Sequence, residues 1–278
     1  METMTRNASV RERVRSWRAR GKKIAFIPTA GTLHKGHLSL ITKAKQQSDN
    51  VIVGIFADPT GQTPTSLGPD RDLLVKIGAD VLFTPPVQEI FPVGYENAAV
   101  VNVPYFAEIL EGAHRPGHFA DVCTILTKLL NIVKPHMVVF GERDYQQLVM
   151  VRRLIDDLFI PVDIVVCATS RDGDGLAFAT VNRLLGPEDR LLAPRLYATL
   201  GQFAKRIEAG ERDYEALMRQ GREALSAAGF TPEYFAVRQA ADLAPVRAGT
   251  RELVILTAAQ LGTARLTDNL RLSLIDRP

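Results

Sequence analysis

Short apolar runs separated by segments of helical period constrain this chain more than any other feature. Residues 24–28, 51–56, 81–84, 137–140 and 162–168 read as strands. Residues 38–47, 121–133 and 145–158 lie between them with apolar side chains at helical spacing. Parallel strands need long crossovers, usually helices, so this alternation predicts a doubly wound parallel sheet with helices on both faces. Such sheets bind ligands beyond the carboxyl ends of their strands, where the strand order reverses.

The first strand leads into Pro28-Thr29-Ala30-Gly31-Thr32-Leu33-His34-Lys35-Gly36-His37, and a helix follows. A helix N-terminus presents unpaired N–H groups and the positive end of the helix dipole, and so attracts phosphate. Neutral imidazoles at His34 and His37 would add hydrogen-bond donors there without adding charge. The layout points to adenylyl transfer. Two other readings of the pair are half of a zinc site, for which no third ligand stands at a suitable spacing, and plain polar groups at a loop–helix junction.

Around residues 185–187 the pattern changes. Residues 196–209 and 214–228 read as helices stopped by Gly210 and Gly229, with strands at 234–237 and 253–256. The expected division is therefore residues 1–185 and 186–278, the latter a small α+β domain. With 34 basic and 31 acidic residues, the net charge of +3 offers no nucleic-acid footprint. No apolar run approaches a membrane span, so no membrane partner is expected. Residues 10–20 are Arg-rich and read as a surface helix rather than a signal segment. Cys123 and Cys167 sit in apolar runs and read as buried free thiols of a cytoplasmic protein.

The His loop resembles the H-x-G-H signature of the pantothenate synthetase family, within the nucleotidylyltransferase superfamily. Four more segments in family order resemble that family's motifs: Gly112-Ala113-His114-Arg115-Pro116-Gly117-His118-Phe119, Phe140-Gly141-Glu142-Arg143-Asp144-Tyr145-Gln146-Gln147-Leu148, Arg171-Asp172-Gly173-Asp174-Gly175-Leu176-Ala177, and Leu261-Gly262-Thr263-Ala264-Arg265-Leu266-Thr267-Asp268-Asn269. The resemblance implies a Rossmann-like fold whose C-terminal α+β domain is a lid over the nucleotide. It also implies ATP and Mg2+, a small carboxylic acid and an amine as partners, and a homodimer. In the implied reaction a carboxylate attacks the α-phosphate, and an amine then attacks the acyl-adenylate.

The resemblance also distributes roles. His34, His37 and Arg143 are the expected catalytic groups. Thr29, Ala30, Gly31, Gly141, Asp144 and Thr180 fall where the family holds nucleotide. Asp58, Gly61, Gln62, Arg115, His118, Asp121 and Gln147 fall where it holds the acid. Arg143 has an alternative as an ion-pair partner of Asp144, Asp144 as a helix cap, and His118 as a loop-packing group.

Several positions depart from the family pattern. Ala30 replaces a Met, Asp58 an Asn, Gly61 a Gln, Asp121 a Gly and Arg143 a Lys. Phe178-Ala179-Thr180-Val181-Asn182 stands where the family has M-S-S-R-N, so a Ser and an Arg are gone. Lys22, Lys23, Arg171 and Arg183 are the cations available to compensate. Losing a Gln amide against a substrate hydroxyl shifts specificity. The expectation is therefore an acid–amine ligase with shifted substrates. The alternatives are an authentic pantoate–β-alanine ligase and a degenerate nucleotide-binding paralogue.

Overall fold

The computed structural model describes residues 1–56 and 67–274. In chain order the first elements are β1 (Glu2–Met4), α1 (Asn7–Ala19), β2 (Ile24–Thr29), α2 (Lys35–Gln47), β3 (Asn50–Ile55), α3 (Gly68–Ile77) and β4 (Val81–Phe83). The short helices α4 (Val87–Ile90), α5 (Pro104–Glu108) and α6 (Leu110–His114) lead to α7 (His118–Val133). Then come β5 (Met137–Gly141), α8 (Tyr145–Asp157), β6 (Asp163–Cys167), α9 (Pro187–Leu192), α10 (Arg195–Glu208), α11 (Tyr214–Ala227), β7 (Thr231–Gln239), β8 (Glu252–Leu261) and β9 (Ala264–Ser273). Two compact units emerge. The first comprises Met1–Glu108, Arg115–Glu142 and Met150–Ala168; the second comprises Ile109–His114, Arg143–Val149 and the chain from Thr169 on.

The first unit holds a six-stranded sheet in the order β1-β4-β3-β2-β5-β6, with every pairing parallel. This is the expected doubly wound sheet. Its central strand β2 is covered on both faces, which is why Ile24, Ala25, Phe26 and Ile27 form an unbroken apolar run. The strand order reverses between β2 and β5, so the carboxyl ends of those two strands, at Thr29 and Gly141, flank the switch point. Helix α7 starts at His118, three residues before the expected 121, because Gly117 takes a left-handed φ of 84° and ends the preceding turn. The expected N-terminal surface helix is α1, and β1 ahead of it pairs with β4.

The second unit carries a three-stranded antiparallel sheet, β7-β8-β9. Leu196, Leu200, Phe203 and Ile207 recur at helical spacing along α10 and are buried with Leu217 and Leu225 of α11 and Phe235, Val237, Leu253 and Ile255 of the sheet. Gly221 lets α11 lie against β7, since a Cβ there would overlap the ring of Phe235. No helix among the described residues is long and apolar enough to cross a membrane.

Both cysteines are free and buried, as expected. Burial pushes the Cys123 thiol up to about 11 and raises that of Cys167 as well. The thiolate is the reactive form. The native chain should therefore leave a disulfide reagent such as DTNB unreacted at pH 8, and both thiols should titrate in denaturant. Rapid reaction of either thiol in the native state would contradict this packing.

Candidate active site

The chain between β2 and α2 has no strand or helix to receive its first N–H groups, and side chains receive them instead. Thr29 Oγ1 accepts from Gly31 N–H at 3.1 Å. The Asp70 carboxylate, on α3, accepts from Thr32 N–H and Leu33 N–H, both at 2.7 Å. His37 Nδ1 accepts from His34 N–H at 3.3 Å, and His34 Nδ1 accepts from Gly36 N–H at 3.1 Å. The last two bonds form a reciprocal capping box in which imidazoles replace the usual hydroxyl and carboxylate. It starts α2 at Lys35, ahead of its first apolar residue.

These bonds also fix the imidazole protons. A backbone N–H only donates, so Nδ1 of both rings is an acceptor and the proton of each neutral ring sits on Nε2. His37 Nε2–H then points to Thr29 Oγ1 at 3.2 Å. The two rings lie 4.1 Å apart, centroid to centroid. Thr29, Gly31, His34 and His37, four of the residues singled out in the sequence, are thus assembled at the carboxyl end of β2, with Ala30 exposed beside them. Two donors of this kind at a helix N-terminus can stabilise charge that grows on a phosphate.

Other expected residues of the first unit are more dispersed. Arg115 is exposed and donates from Nη1 to His118 Nε2 at 3.2 Å, beside the start of α7. Asp121 lies in the first turn of α7 and accepts from the Tyr95 hydroxyl. Its carboxylate is therefore part of a local polar pair. Gly141 ends β5 at the switch point, where a Cβ would make only ordinary contact with Leu40. Asp58, Gly61 and Gln62 lie outside the described residues.

In the second unit Arg143 donates to Asp144 Oδ1 from Nη2 at 3.0 Å and from Nε at 3.3 Å. The expected alternative, an ion pair between Arg143 and Asp144, is therefore formed in this structure. Arg143 Nη1 also lies 3.5 Å from Phe178 O, and Asn269 Nδ2 donates to Arg143 O at 2.7 Å. Gln147 is half-buried on α8, and Thr180 opens a short 3-10 turn through Leu184. Of the cations available to replace the missing Arg, Arg171 is committed to Asp268 and Lys22 to Asp49. Arg183 stays in the loop itself, its Nε 3.4 Å from Thr180 O.

Sequence reasoning gave no role to three polar groups that build these surroundings. Asp70 is only 4 % exposed. Gln146 is buried and clamps α6, accepting from Glu111 N–H and donating to Ile109 O. Asp268 is buried against Arg171. For Gln146 and Asp268 the one available signal was their place inside the motif segments; Asp70, between Pro69 and Arg71, carried none. Among the described residues no three His, Cys, Asp or Glu groups gather as a metal site.

Residues 2–271 match the family described as Pantoate-beta-alanine ligase. The pantothenate synthetase of Pseudomonas fluorescens (strain Pf0-1) is 44% identical over 282 residues, covering 99% of both chains. That of Nitrosococcus oceani is 42% identical, again with 99% of both chains covered. Among solved structures, a pantothenate synthetase of Thermus thermophilus superposes with a TM-score of 0.88 at 36% identity, covering 97% of this chain and 99% of that one. The pantoate-beta-alanine ligase of Francisella tularensis, solved with a β,γ-ATP compound and β-alanine, gives a TM-score of 0.79 at 32% identity over 97% of both.

Proposed function

This chain belongs to the pantoate-beta-alanine ligase family, and from that premise we propose that it condenses pantoate with β-alanine in a reaction driven by ATP. The observation that carries the reading is the pair of Nε2–H imidazoles, His34 and His37, capping α2 at the end of β2. The pantoate carboxylate attacks the α-phosphate of ATP, the bond to the β-phosphate breaks, and pyrophosphate leaves. The amine of β-alanine then attacks the acyl-adenylate carbonyl and AMP departs. In the first step His34 donates to the α-phosphate oxygens as their charge grows, and His37 exchanges its bond to Thr29 Oγ1 for the same contact, an effect worth about 3 kcal/mol for one well-placed donor.

The other roles belong to the same proposal. Thr29, Ala30, Gly31 and Gly141 border the nucleotide, and Arg143, Asp144 and Thr180 also serve it. Mg2+ accompanying ATP would neutralise part of the phosphate charge during the attack. Arg143 exchanges its bond to Asp144 for phosphate contact. Arg115, with its planar fork, is assigned to the substrate carboxylate. Asp58, Gly61, Gln62, His118, Asp121 and Gln147 complete the proposed acid site. Residues 1–185 are the proposed nucleotide-binding part and 186–278 the proposed lid. A cytoplasmic homodimer is part of the same reading.

Full-length identity above 40% to pantothenate synthetases supports the authentic reaction over the shifted specificity expected from sequence alone. Asp121 is one reason for that change of weight: its carboxylate is engaged by Tyr95. The second reading, another acid or amine, rests on the replaced Gln at position 61. A mass-spectrometric product assay with ATP, magnesium, pantoate and β-alanine separates the two. Pantothenate and AMP in equal amounts are expected. AMP with a different amide, formed only from other acids or amines, would establish the second reading, and no product from any pair would point to the degenerate paralogue.

A further inference from the structure

We propose that Asp70 is a positioning residue for the reaction: by holding the backbone of Thr32 and Leu33 it sets the tautomer and aim of His34 and His37. The inference rests on the reading of those two imidazoles as phosphate ligands. Asp70 belongs to none of the segments that carry the family motifs, and it touches neither ring.

The geometry runs from the carboxylate outward. Asp70 is 4 % exposed, and its two oxygens each take one of two consecutive amides at 2.7 Å. Among the described residues no cation pairs with it. A buried carboxylate compensated by backbone N–H groups forms short, charge-assisted bonds. The backbone it holds is one a free chain would avoid. Gly31 has φ 88° and Thr32 has φ 56°. Gly adopts that left-handed region readily, but a β-branched Thr does so at a cost. Leu33, buried at 8 % exposure, anchors the next residue.

Everything downstream depends on that turn. It brings His34 N–H to His37 Nδ1 and His34 Nδ1 to Gly36 N–H. Those contacts leave the protons on Nε2. With Thr29 receiving Gly31 N–H, four successive amides, Gly31 to His34, are held by side chains. The loop is therefore preorganised before any ligand arrives, which is the condition under which aimed donors lower a barrier. Without the carboxylate, Thr32 relaxes to a negative φ, the reciprocal cap opens, and each ring samples both tautomers.

The test uses the full chain with histidine labelled by 15N. Long-range proton–nitrogen spectra of the native protein are expected to show both rings as Nε2–H tautomers, with the Thr32 and Leu33 amides protected from exchange. In Asp70→Asn, close in shape, kcat with ATP, pantoate and β-alanine is expected to fall at least tenfold. KM for ATP should change less than threefold, and the tautomers should become mixed. Adding Thr32→Gly, which takes a positive φ without help, should restore at least threefold of the lost kcat. A folded Asp70→Asn protein with native tautomers and kcat overturns the proposal, as does failure of Thr32→Gly to restore activity. If Asp70→Asn does not fold, an Nδ1–H ring or a rapidly exchanging Thr32 or Leu33 amide in the native protein overturns it. The underlying reading fails separately: mixed tautomers in Asp70→Asn with an active His34→Ala enzyme would leave Asp70 as the organiser of rings that do not serve phosphate.

Discussion

Replacing His34 with alanine is expected to lower turnover at least tenfold, and by about a hundredfold if the ring supplies one full donor to the transition state. The loss should appear in kcat and kcat/KM alike, because a donor aimed at growing phosphate charge contributes little to the ground state. Folding should survive. The substitution removes the acceptor for Gly36 N–H, a capping contact worth about 1 kcal/mol. Steady-state kinetics beside a thermal melt will separate the two effects. An enzyme with unchanged turnover would remove His34 from the chemistry.

The largest effect on stability is expected at Arg171. Its guanidinium grips Asp268 through Nη1 at 2.6 Å and Nη2 at 2.8 Å, and it stacks 3.4 Å over the ring of Tyr197. Asp268 is only 3 % exposed in its side chain, and one of its oxygens also accepts from Asn269 N–H. Arg171→Ala leaves that carboxylate buried without its cation, which costs about 3–5 kcal/mol. Urea denaturation should show the loss as a lowered midpoint. Adding Asp268→Asn should recover part of it, because the uncompensated charge goes. A midpoint unmoved by Arg171→Ala would mean that water already reaches the carboxylate.

The sheet was legible because its central strands are buried on both faces and so carry little but apolar residues. Strand β9 was not read as a strand because Arg265, Asp268, Asn269 and Arg271 break its apolar pattern. Those residues are spent on partners that no local pattern announces: Arg265 on Glu111 and Glu233, Asp268 on Arg171, and Asn269 on the backbone of Arg143. The His loop was legible as a phosphate site because strand, glycine and imidazoles follow one another directly. What makes it rigid was not, since Asp70 lies 38 residues beyond Thr32. Arg183 was available in the sequence as a compensating cation, and only the folded loop shows it beside Thr180 while Arg171 is committed elsewhere.

The second unit is assembled from three separate stretches of chain, and this has a consequence for synthesis on the ribosome. Glu111 and Gln146 emerge long before β9, which carries the arginine that will meet Glu111 after 154 further residues. Tyr145 likewise waits for the carbonyl of Ala240. Until the last strand is made, α6 lacks its anchoring guanidinium, so the nascent chain cannot complete this unit early. The same arrangement makes the piece from Thr169 onward a poor cassette for transfer to another protein, since it would arrive without Glu111, Tyr145 and Gln146.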